Sequence, residues 1–287
     1  MGPSHLRAAA VALCCALSAF TTATADEPLS VTYLGNAGVL VEQGDTKLLF
    51  DPLFRLQNTF YRAVPDHLEN ALMSGEPPFD GVDAVLITHF HLDHFSPNLV
   101  LNYLVLNPSV QLYAPQQAVE GLQQFSAGQE KAFLERVTGL SLSQFGNPFS
   151  QRNGELQVEI LRIPHNGWPD GSRDVQNLVY RVTLGDGSSV LHLGDAAAQT
   201  ELFQPFSDHW AARENRLVLA PYWFQQDPQG LTILNDILKA GTVFNVHVPS
   251  DVAENPSTRP KEYQGQDLLL KPGTKRRLAA KNPTTKP

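Results

Sequence analysis

The chain has 287 residues and a formal net charge of −8, with 21 lysines and arginines against 29 aspartates and glutamates. An acidic chain without a basic stripe is poorly suited to the phosphate backbone, so we expect no nucleic-acid partner. The length is sufficient to bury a large core within one α/β domain.

Residues 1–25 have the pattern of a cleavable secretory signal. A basic start at His5 and Arg7 precedes an apolar stretch from Ala8 to Phe20, and Ala23-Thr24-Ala25 offers small residues at a cleavage site. The apolar stretch is too short to span a bilayer, so we expect no stable membrane insertion. Cleavage after Ala25 predicts a periplasmic or secreted protein.

Both cysteines, Cys14 and Cys15, lie inside this segment. A lipid anchor at one of them is the alternative to cleavage, but Leu13 and Cys14 are poor matches to the small residue that should precede such a site. After cleavage the chain has no cysteine, so we expect neither disulfides nor thiolate metal ligands.

Strands are predicted to follow closely after the signal. Two lie between residues 31 and 43, and a third, at 46–50, follows the turn Gly44-Asp45. Residues 54–83 have no clear period and contain three prolines, which is typical of a lid or binding loop. Phe54, Phe60 and Tyr61 in this loop are candidates for an apolar substrate wall, with simple loop packing as the alternative.

The rest of the chain alternates strands and helices, an order that suits sheets with helices on their outer faces. We place the folded domain at residues 26–263 and predict that residues 264–287 form a basic, disordered tail, because they lack an apolar period. The predicted strands are 82–88, 110–114, 156–163, 178–184, 189–193, 217–220 and 242–248, and the predicted helices are 99–106, 115–125 and 231–240.

Three imidazoles and a carboxylate fall within six residues in His89-Phe-His91-Leu-Asp93-His94, directly after a predicted strand. Because the whole chain has only nine histidines, this clustering is not expected by chance. Imidazole and carboxylate are ligands that zinc and similar divalent metals prefer. Ser96-Pro97 then predicts the start of a helix. The strand, loop and helix together indicate a metal site rather than an adventitious histidine-rich tract.

Three further candidate ligands lie at or near the ends of predicted strands: His165, Asp195 and His247. Gly194 allows a tight turn before Asp195. Taken singly, such a histidine is usually a polar residue with ordinary hydrogen bonds, and a Gly-Asp pair is usually a turn. Strand ends can deliver binding residues to one edge of an α/β sheet, which favours a shared site.

The pattern of these residues resembles the metallo-β-lactamase superfamily. The His-x-His-x-Asp-His loop, a distant His165, Asp195 after a strand and a final His247 occur in the family's order. Tyr33-Leu-Gly-Asn-Ala-Gly38 and Leu49-Phe-Asp51-Pro52 resemble its first hairpin, and the resemblance extends over residues 31–248. It implies a four-layer αββα sandwich with the metals at one edge, and a supporting role for Asp51.

The resemblance also implies two divalent metal ions, with zinc as the default and manganese or iron as alternatives. The first ion takes His89, His91 and His165, and the second takes Asp93, His94 and His247, while Asp195 bridges. A hydrolase that attacks with metal-bound hydroxide follows from this arrangement, with Asp93 orienting the water. Independently of the family, Tyr222 follows a strand at the expected active edge and is a candidate oxyanion donor, or else a packing aromatic.

The residue type at position 195 helps to predict the substrate class. Superfamily members that open β-lactams generally carry Cys or Ser at this position, so cleavage of an ester, lactone or phosphodiester in a small-molecule or lipid-like substrate is favoured over β-lactam hydrolysis. The chain is most similar to the lactonase-like and phospholipase-D-like branch, although Asn36 stands where that branch often has His. A single-iron oxidoreductase acting on sulfur compounds and a non-catalytic metal-binding protein are the alternatives. The presence of His94 and His247 disfavours the first, and the complete ligand set disfavours the second.

Overall fold

A computed structural model describes residues 28–126, 128 and 133–278. The strands in these residues are β1 (Ser30–Gly35), β2 (Gly38–Gln43), β3 (Thr46–Phe50), β4 (Ala84–Leu86), β5 (Gln111–Pro115), β6 (Val137–Leu140), β7 (Phe149–Asn153), β8 (Leu156–Arg162), β9 (Leu178–Thr183), β10 (Ser189–His192), β11 (Asn215–Pro221), β12 (Thr242–Val246) and β13 (Lys275–Arg277). The helices are α1 (Asp66–Ser74), α2 (Pro97–Leu106), α3 (Gln116–Phe125), α4 (Thr200–Phe203), α5 (Ser207–Ala211) and α6 (Pro228–Thr232), which a π-helical turn (Ile233–Ile237) continues.

The strands form two mixed sheets. The first has the order β13-β1-β2-β3-β4-β5-β6, and the second has the order β12-β11-β10-β9-β8-β7. Strands β3 to β6 run parallel in the first sheet, and β10 to β12 run parallel in the second. The predicted hairpins β2–β3 and β9–β10 are antiparallel pairs.

Three separate apolar cores show that the sheets are stacked and covered by helices. The largest core lies between the sheets and includes Val39, Phe50 and Val182. A second core packs the other face of the first sheet against the α1–α3 side, and a third packs the second sheet against the α4–α6 side. These layers confirm the predicted αββα sandwich.

Helix α2 begins where the sequence predicts. Ser96 has extended backbone dihedrals at the N-cap position, and Pro97 is the first helical residue. The Ser96 side chain makes no capping hydrogen bond. The backbone N–H of Ser96 donates to the carbonyl of Leu53 at 2.9 Å, and this bond connects the start of the helix to the segment after β3.

The segment from Phe54 to Asp83 is not the continuous loop that the sequence predicts, because it contains helix α1. The helix is short, and only Leu72 within it is fully buried, so its apolar period is too brief to recognise in the sequence. Arg55 in the preceding loop pairs with Glu69 on α1, with N–O distances of 2.5 and 2.7 Å. The helix therefore anchors the loop that precedes it.

The prediction of a disordered tail from residue 264 is wrong for residues 264–278. Strand β13 pairs with β1, and the N–H of Leu278 donates to the carbonyl of Leu29 at 2.8 Å. Leu278 is buried in the core between the sheets. Three of the basic residues that suggested a solvated tail, Lys275, Arg276 and Arg277, belong to an edge strand, where charged side chains are common. One of them, Arg276, pairs with Asp267 at 2.7 Å.

The predicted signal segment lies outside the described residues, as do residues 279–287. Within the described part of the chain, no helix is long and apolar enough to cross a membrane.

Ending the chain at Thr274 removes β13 and the buried Leu278, and we expect this to lower the free energy of unfolding by roughly 2–4 kcal/mol, through lost apolar burial and lost strand hydrogen bonds. Urea denaturation measures the change. The control is a chain that ends at Leu278, which retains both the strand pairing and the buried leucine. Equal unfolding midpoints for the two chains would show that β13 does not contribute to stability.

Candidate metal centre

The candidate ligands lie at one edge of the sandwich because the strands that carry them end there. The His89–His94 loop follows β4, and His165, Asp195 and His247 follow β8, β10 and β12. All seven predicted ligands fall within three groups, and within each group the donor atoms lie within 4.8 Å of one another. The groups are His89, His91 and His165; His89, His94 and Asp195; and Asp93, His94 and His247.

Asp51 at the end of β3 supports the histidine loop. Its buried carboxylate accepts hydrogen bonds from the N–H of Thr88 at 2.8 Å, from the Thr88 hydroxyl at 2.6 Å and from Nδ1 of His94 at 2.8 Å. Asp51 has a positive φ of 42°, a strained conformation that surrounding contacts must hold in place. The role that the family resemblance implies for Asp51 agrees with these contacts.

Hydrogen bonds at Nδ1 fix which ring nitrogen of His89, His94 and His165 can bind a cation. His94 donates through Nδ1 to Asp51, so Nε2 is the ring nitrogen that can bind a cation in place of a proton. The Thr88 hydroxyl gives its only proton to Asp51 and therefore accepts from Nδ1 of His89 at 3.0 Å. His165 donates through Nδ1 to the carbonyl of Asn166 at 2.7 Å. In all three residues Nε2 is thus available for a cation.

Asn177 ties together the two turns that carry His165 and Asp195. Its Oδ1 accepts from the N–H of Asp195 at 2.9 Å, and its Nδ2 donates to the carbonyls of Ile163 and Leu193 at 3.2 and 3.1 Å. Gly194, with a φ of 55°, lies against Asn177 and Thr88, so a side chain would not fit there. The turn before Asp195 therefore requires glycine, as its predicted role implies.

Asn36, in the turn between β1 and β2, holds two ligands. Its Nδ2 donates to the backbone carbonyl of Asp93 at 2.9 Å and to Asp93 Oδ2 at 3.3 Å. Its own carbonyl accepts from the N–H of His247 at 3.0 Å. Asn36 and His247 both have positive φ values, 41° and 60°. The sequence left the role of Asn36 open; in the structure it positions ligands.

His192 lies at the end of β10, is buried and is not among the candidate ligands. Its Nδ1 accepts from the N–H of Gly194 and its Nε2 donates to the carbonyl of Ala37, both at 3.0 Å. Its ring stacks on Phe50 with centroids 5.2 Å apart. His192 therefore links the turn at Gly194 to the turn between β1 and β2.

The distances around Asp195 are close to those between ligands of one cation. Its Oδ1 lies 3.3 Å from His94 Nε2, and its Oδ2 lies 3.5 Å from His165 Nε2 and 3.1 Å from His247 Nε2. Ligands on one tetrahedral zinc ion, each about 2.0–2.2 Å from the metal, are separated by about 3.3–3.5 Å. Asp195 thus lies between the first and third ligand groups.

Buried atoms without hydrogen bonds test whether these residues fit a metal. His94 Nε2, His165 Nε2 and Asp195 Oδ1 are buried and make no hydrogen bond. Buried polar atoms normally have partners, since leaving one unpaired costs about 1–3 kcal/mol. Convergent lone pairs on nitrogen and carboxylate oxygen are the donor set for a divalent cation. The residues therefore fit a metal site.

Burial and the neighbouring histidines keep two of the candidate ligands, His89 and His91, neutral. Burial, together with neighbouring histidines, lowers the pKa of His89 well below its usual value and also lowers that of His91. Burial alone would lower the pKa of His94, but the carboxylates of Asp195 and Asp51 hold it well above its usual value. At neutral pH His89 and His91 are consequently unprotonated, the form that binds metals.

The two carboxylates are held in their charged form. Burial would raise the pKa of Asp195, but His247 and His94 hold it well below its usual range. Burial opposes ionisation of Asp93 as well, and the hydrogen bond from His247 together with the nearby His94 lowers its pKa to about 2. Negative charge is therefore available at both positions to stabilise cations.

A cavity of about 370 Å³ opens beside the cluster. Tyr61 lies on its wall, with its ring centroid 4.1 Å from that of His247. Burial, followed by the nearby carboxylates, raises the pKa of Tyr61, so its hydroxyl stays protonated. The cavity is lined by Arg55, Leu56, Gln57, Asn58, Phe60, Tyr61, His91, Leu92 and Asp93.

Tyr222, the predicted oxyanion donor, lies in a short 3-10 helix directly after β11. Its ring packs against Tyr263 and Trp223, with centroids 5.5 and 5.4 Å apart. Trp223 in turn lies 5.4 Å from His247, whereas Tyr61 contacts His247 directly. The sequence identified Tyr61 as a candidate for the substrate wall, but nothing in the chain order indicated its contact with a ligand.

Thr88 and Asn177 were not identified from the sequence. Thr88 adjoins the motif and Asn177 immediately precedes β9, positions from which polar side chains can reach strand-end turns. That signal is weak, because Thr and Asn are common at strand ends for local reasons.

The chain matches the family model described as the beta-lactamase superfamily domain over residues 30–208, which is more than half of its length. The matched region includes the histidine loop, His165 and Asp195, and it ends before His247.

Relatives of the chain include proteins of the UPF0173 and UPF0282 groups. A UPF0282 protein of Methanopyrus kandleri is 26% identical over 208 residues, covering 67% of this chain and 69% of the relative. The UPF0173 metal-dependent hydrolase of Aeropyrum pernix is 26% identical over 178 residues, covering 60% and 63%. The UPF0173 protein YddR of Bacillus subtilis is 36% identical over 74 residues, covering 23% and 29%. The chain therefore spans less than two thirds of the length of YddR and of the Aeropyrum protein.

Two solved structures have similar folds over 88% of this chain and 100% of their own. Igni18, a metallo hydrolase of Ignicoccus hospitalis, has a TM-score of 0.56 at 19% identity. An isothiocyanate hydrolase from Delia radicum gut bacteria has a TM-score of 0.59 at 15% identity. Both folds agree with the family match over more than half of the chain, which shows that the chain belongs to the metallo-β-lactamase superfamily.

Proposed function

We propose that the protein is an exported, dinuclear hydrolase that cleaves an ester, lactone or phosphodiester. The position of Asp195 carries the proposal. Its carboxylate lies between two three-residue ligand groups, with separations of 3.1–3.5 Å to His94, His165 and His247. One shared carboxylate between two complete groups is the arrangement that supports two ions.

His89, His91 and His165 would hold the first ion, and Asp93, His94 and His247 the second, with Asp195 shared. When bound, two divalent cations, zinc by default and manganese or iron as alternatives, supply an activated water and polarise the electrophilic oxygen of the substrate. No serine or cysteine nucleophile is then required.

The chain's own residues orient the reactants. His91 and Asp93 are the ligands that line the cavity, so the scissile group is placed against them. Asn36 holds the Asp93 carboxylate, which fixes its orientation toward an attacking water. The protonated hydroxyl of Tyr61 can donate a hydrogen bond to a developing oxyanion, and Tyr222 is the second candidate for this role.

The complete second ligand group argues against the single-iron oxidoreductase. His94 and His247 are both buried, and their rings are stacked with centroids 5.1 Å apart. Both Nε2 atoms lie within 3.3 Å of an Asp195 oxygen. Asp195 itself, in place of Cys or Ser, favours ester-type hydrolysis over β-lactam opening.

Two metal ions per chain are expected when the protein is purified without chelator and measured by elemental mass spectrometry. Asp195→Asn keeps the shape of the side chain but removes its charge, so we expect loss of at least one ion and a fall in kcat of at least about 100-fold. Near-ultraviolet circular dichroism should remain unchanged.

The matched control is Asp208→Asn, an exposed aspartate on α5, which should retain both ions and full turnover. One iron per chain in the unaltered protein, or full activity of Asp195→Asn, would contradict the dinuclear mechanism.

Replacement of the two tyrosines separates their roles. Because Tyr61 contacts His247 and lines the cavity, Tyr61→Phe should lower kcat by roughly 10- to 100-fold with little change in KM, since one donor to the transition state is lost. Tyr222→Phe, which leaves that contact intact, should change kcat less than about threefold. Steady-state kinetics on the metal-loaded variants measures both effects. A larger fall in kcat for Tyr222→Phe than for Tyr61→Phe would assign the donor role to Tyr222.

Export is inferred from the sequence of residues 1–25. Expression of the full chain in a bacterial host should yield a periplasmic form whose N-terminus, read by intact mass and N-terminal sequencing, is Asp26. Replacing Ala25 by Arg should block cleavage, because a large charged residue does not fit the small-residue cleavage site. A cytoplasmic, uncleaved product or a lipid-modified cysteine would contradict this prediction.

A further inference from the structure

Large apolar side chains are exposed beside the candidate metal centre. Phe60 is 55% exposed, Leu92 46% and Phe90 39%. Phe60 and Leu92 lie on the cavity wall, while Phe90 adjoins His91, with ring centroids 5.2 Å apart. Exposed apolar groups gathered around a pocket mark a binding surface, whereas single exposed apolar residues are ordinary on any protein.

The cavity has the size and composition of a small-molecule site. Its volume of about 370 Å³ falls within the range of roughly 300–1,000 Å³ that is usual for such sites. Leu56, Phe60, Tyr61 and Leu92 are the large apolar residues of its lining, which also includes the candidate ligands His91 and Asp93. A substrate that fills it must place a reactive group at the ligands and an apolar group along the wall.

Contacts to the segment that follows β12 hold this wall in place. Arg62 donates to the carbonyls of Pro249, Ser250 and Val252 at 2.8–2.9 Å. The N–H of Ser250 donates to the carbonyl of Phe60 at 2.8 Å. The loop that carries Phe60 and Tyr61 is therefore bound to the segment directly after His247, and the apolar surface is formed before a substrate arrives.

The described residues that line the cavity offer no uncommitted positive charge. Arg55 is the one lysine or arginine among them, and both of its terminal nitrogens pair with Glu69 at 2.5 and 2.7 Å. An anionic group on the distal part of the substrate would therefore find no cationic partner along this lining.

We infer, resting on the proposed hydrolase function, that the substrate is an ester or lactone with an uncharged apolar chain that lies along Phe60 and Leu92. One water is consumed: its oxygen bonds to the acyl carbon, the acyl–oxygen bond breaks, and a proton passes to the departing oxygen. The products are a carboxylic acid and an alcohol, or one hydroxy acid from a lactone.

Chain length of the substrate tests the inference. The zinc-loaded full chain is assayed with p-nitrophenyl esters from acetate to decanoate and with γ-lactones of increasing alkyl length. In the unaltered protein, kcat/KM should rise about two- to fourfold per methylene until the cavity is filled, because each methylene leaves water. Phe60→Ala should reduce the ratio of decanoate to acetate kcat/KM by at least about tenfold.

Phe125→Ala is the matched control. Phe125 is 50% exposed at the end of α3 and does not line the cavity, so its removal should leave both the acetate rate and the decanoate-to-acetate ratio unchanged. Esters with a terminal carboxylate on the acyl chain should be cleaved at least about tenfold less efficiently than uncharged esters of equal length.

Binding of 2-alkanones, from butanone to decanone, by calorimetry provides a second measurement that does not depend on turnover. Affinity should increase with chain length in the unaltered protein and lose this dependence in Phe60→Ala. Turnover or binding that is independent of chain length, or a preference for the carboxylate-terminated esters, would overturn the inference while leaving the hydrolase function intact. Length-dependent binding without cleavage of any ester or lactone would support the apolar site and instead contradict the proposed reaction.

Discussion

The candidate metal centre depends on one buried carboxylate that is not among the candidate ligands. Asp51 has no solvent exposure and receives three hydrogen bonds from Thr88 and His94. A buried carboxylate is stable only when such donors replace water, so the end of β3 and the loop after β4 are fixed relative to each other. The same bonds direct Nε2 of His94 and, through Thr88, Nε2 of His89 toward the cluster. Removing Asp51 would therefore disturb two ligands at once, together with the junction between two strands.

Neutral side chains extend this support across both sheets. Asn177 joins the turns of His165 and Asp195, while Asn36 joins Asp93 to His247. Amides suit this role because they donate and accept simultaneously without adding charge to a cluster already rich in carboxylates. Three non-glycine residues with positive φ, at positions 36, 51 and 247, lie in the same network. Strain concentrated at one site, and held by hydrogen bonds, indicates that ligand geometry is maintained at a cost in stability.

The sequence indicated which candidate ligands converge better than it indicated their surroundings, and the reason is physical. The main ligand motif is recognisable within a short stretch of sequence, since three histidines and an aspartate within six residues rarely occur outside a metal site. The ends of the predicted strands then indicate where the distant candidate ligands converge. Strand β13 was missed because an edge strand needs only partial burial and tolerates charge, so Lys275, Arg276 and Arg277 resemble a tail. Helix α1 was missed because it buries little apolar surface. The contact between Tyr61 and His247 joins residues far apart in the chain, and no local pattern encodes it.

The ligands differ in exposure, and this difference sets the direction of approach. His89, His94 and Asp195 are enclosed by protein, whereas the Asp93 side chain is 27% exposed and lines the cavity with His91. A substrate can therefore reach the centre from the side of the loop that carries Phe60 and Tyr61. The Arg62 side chain binds that loop to the segment following His247. The backbone carbonyl of Arg62 accepts a hydrogen bond from the N–H of Asn36, and Asn36 in turn positions Asp93. The same segment supports both the substrate wall and the two candidate ligands Asp93 and His247. A substitution that displaces the wall is therefore expected to shift these ligands as well.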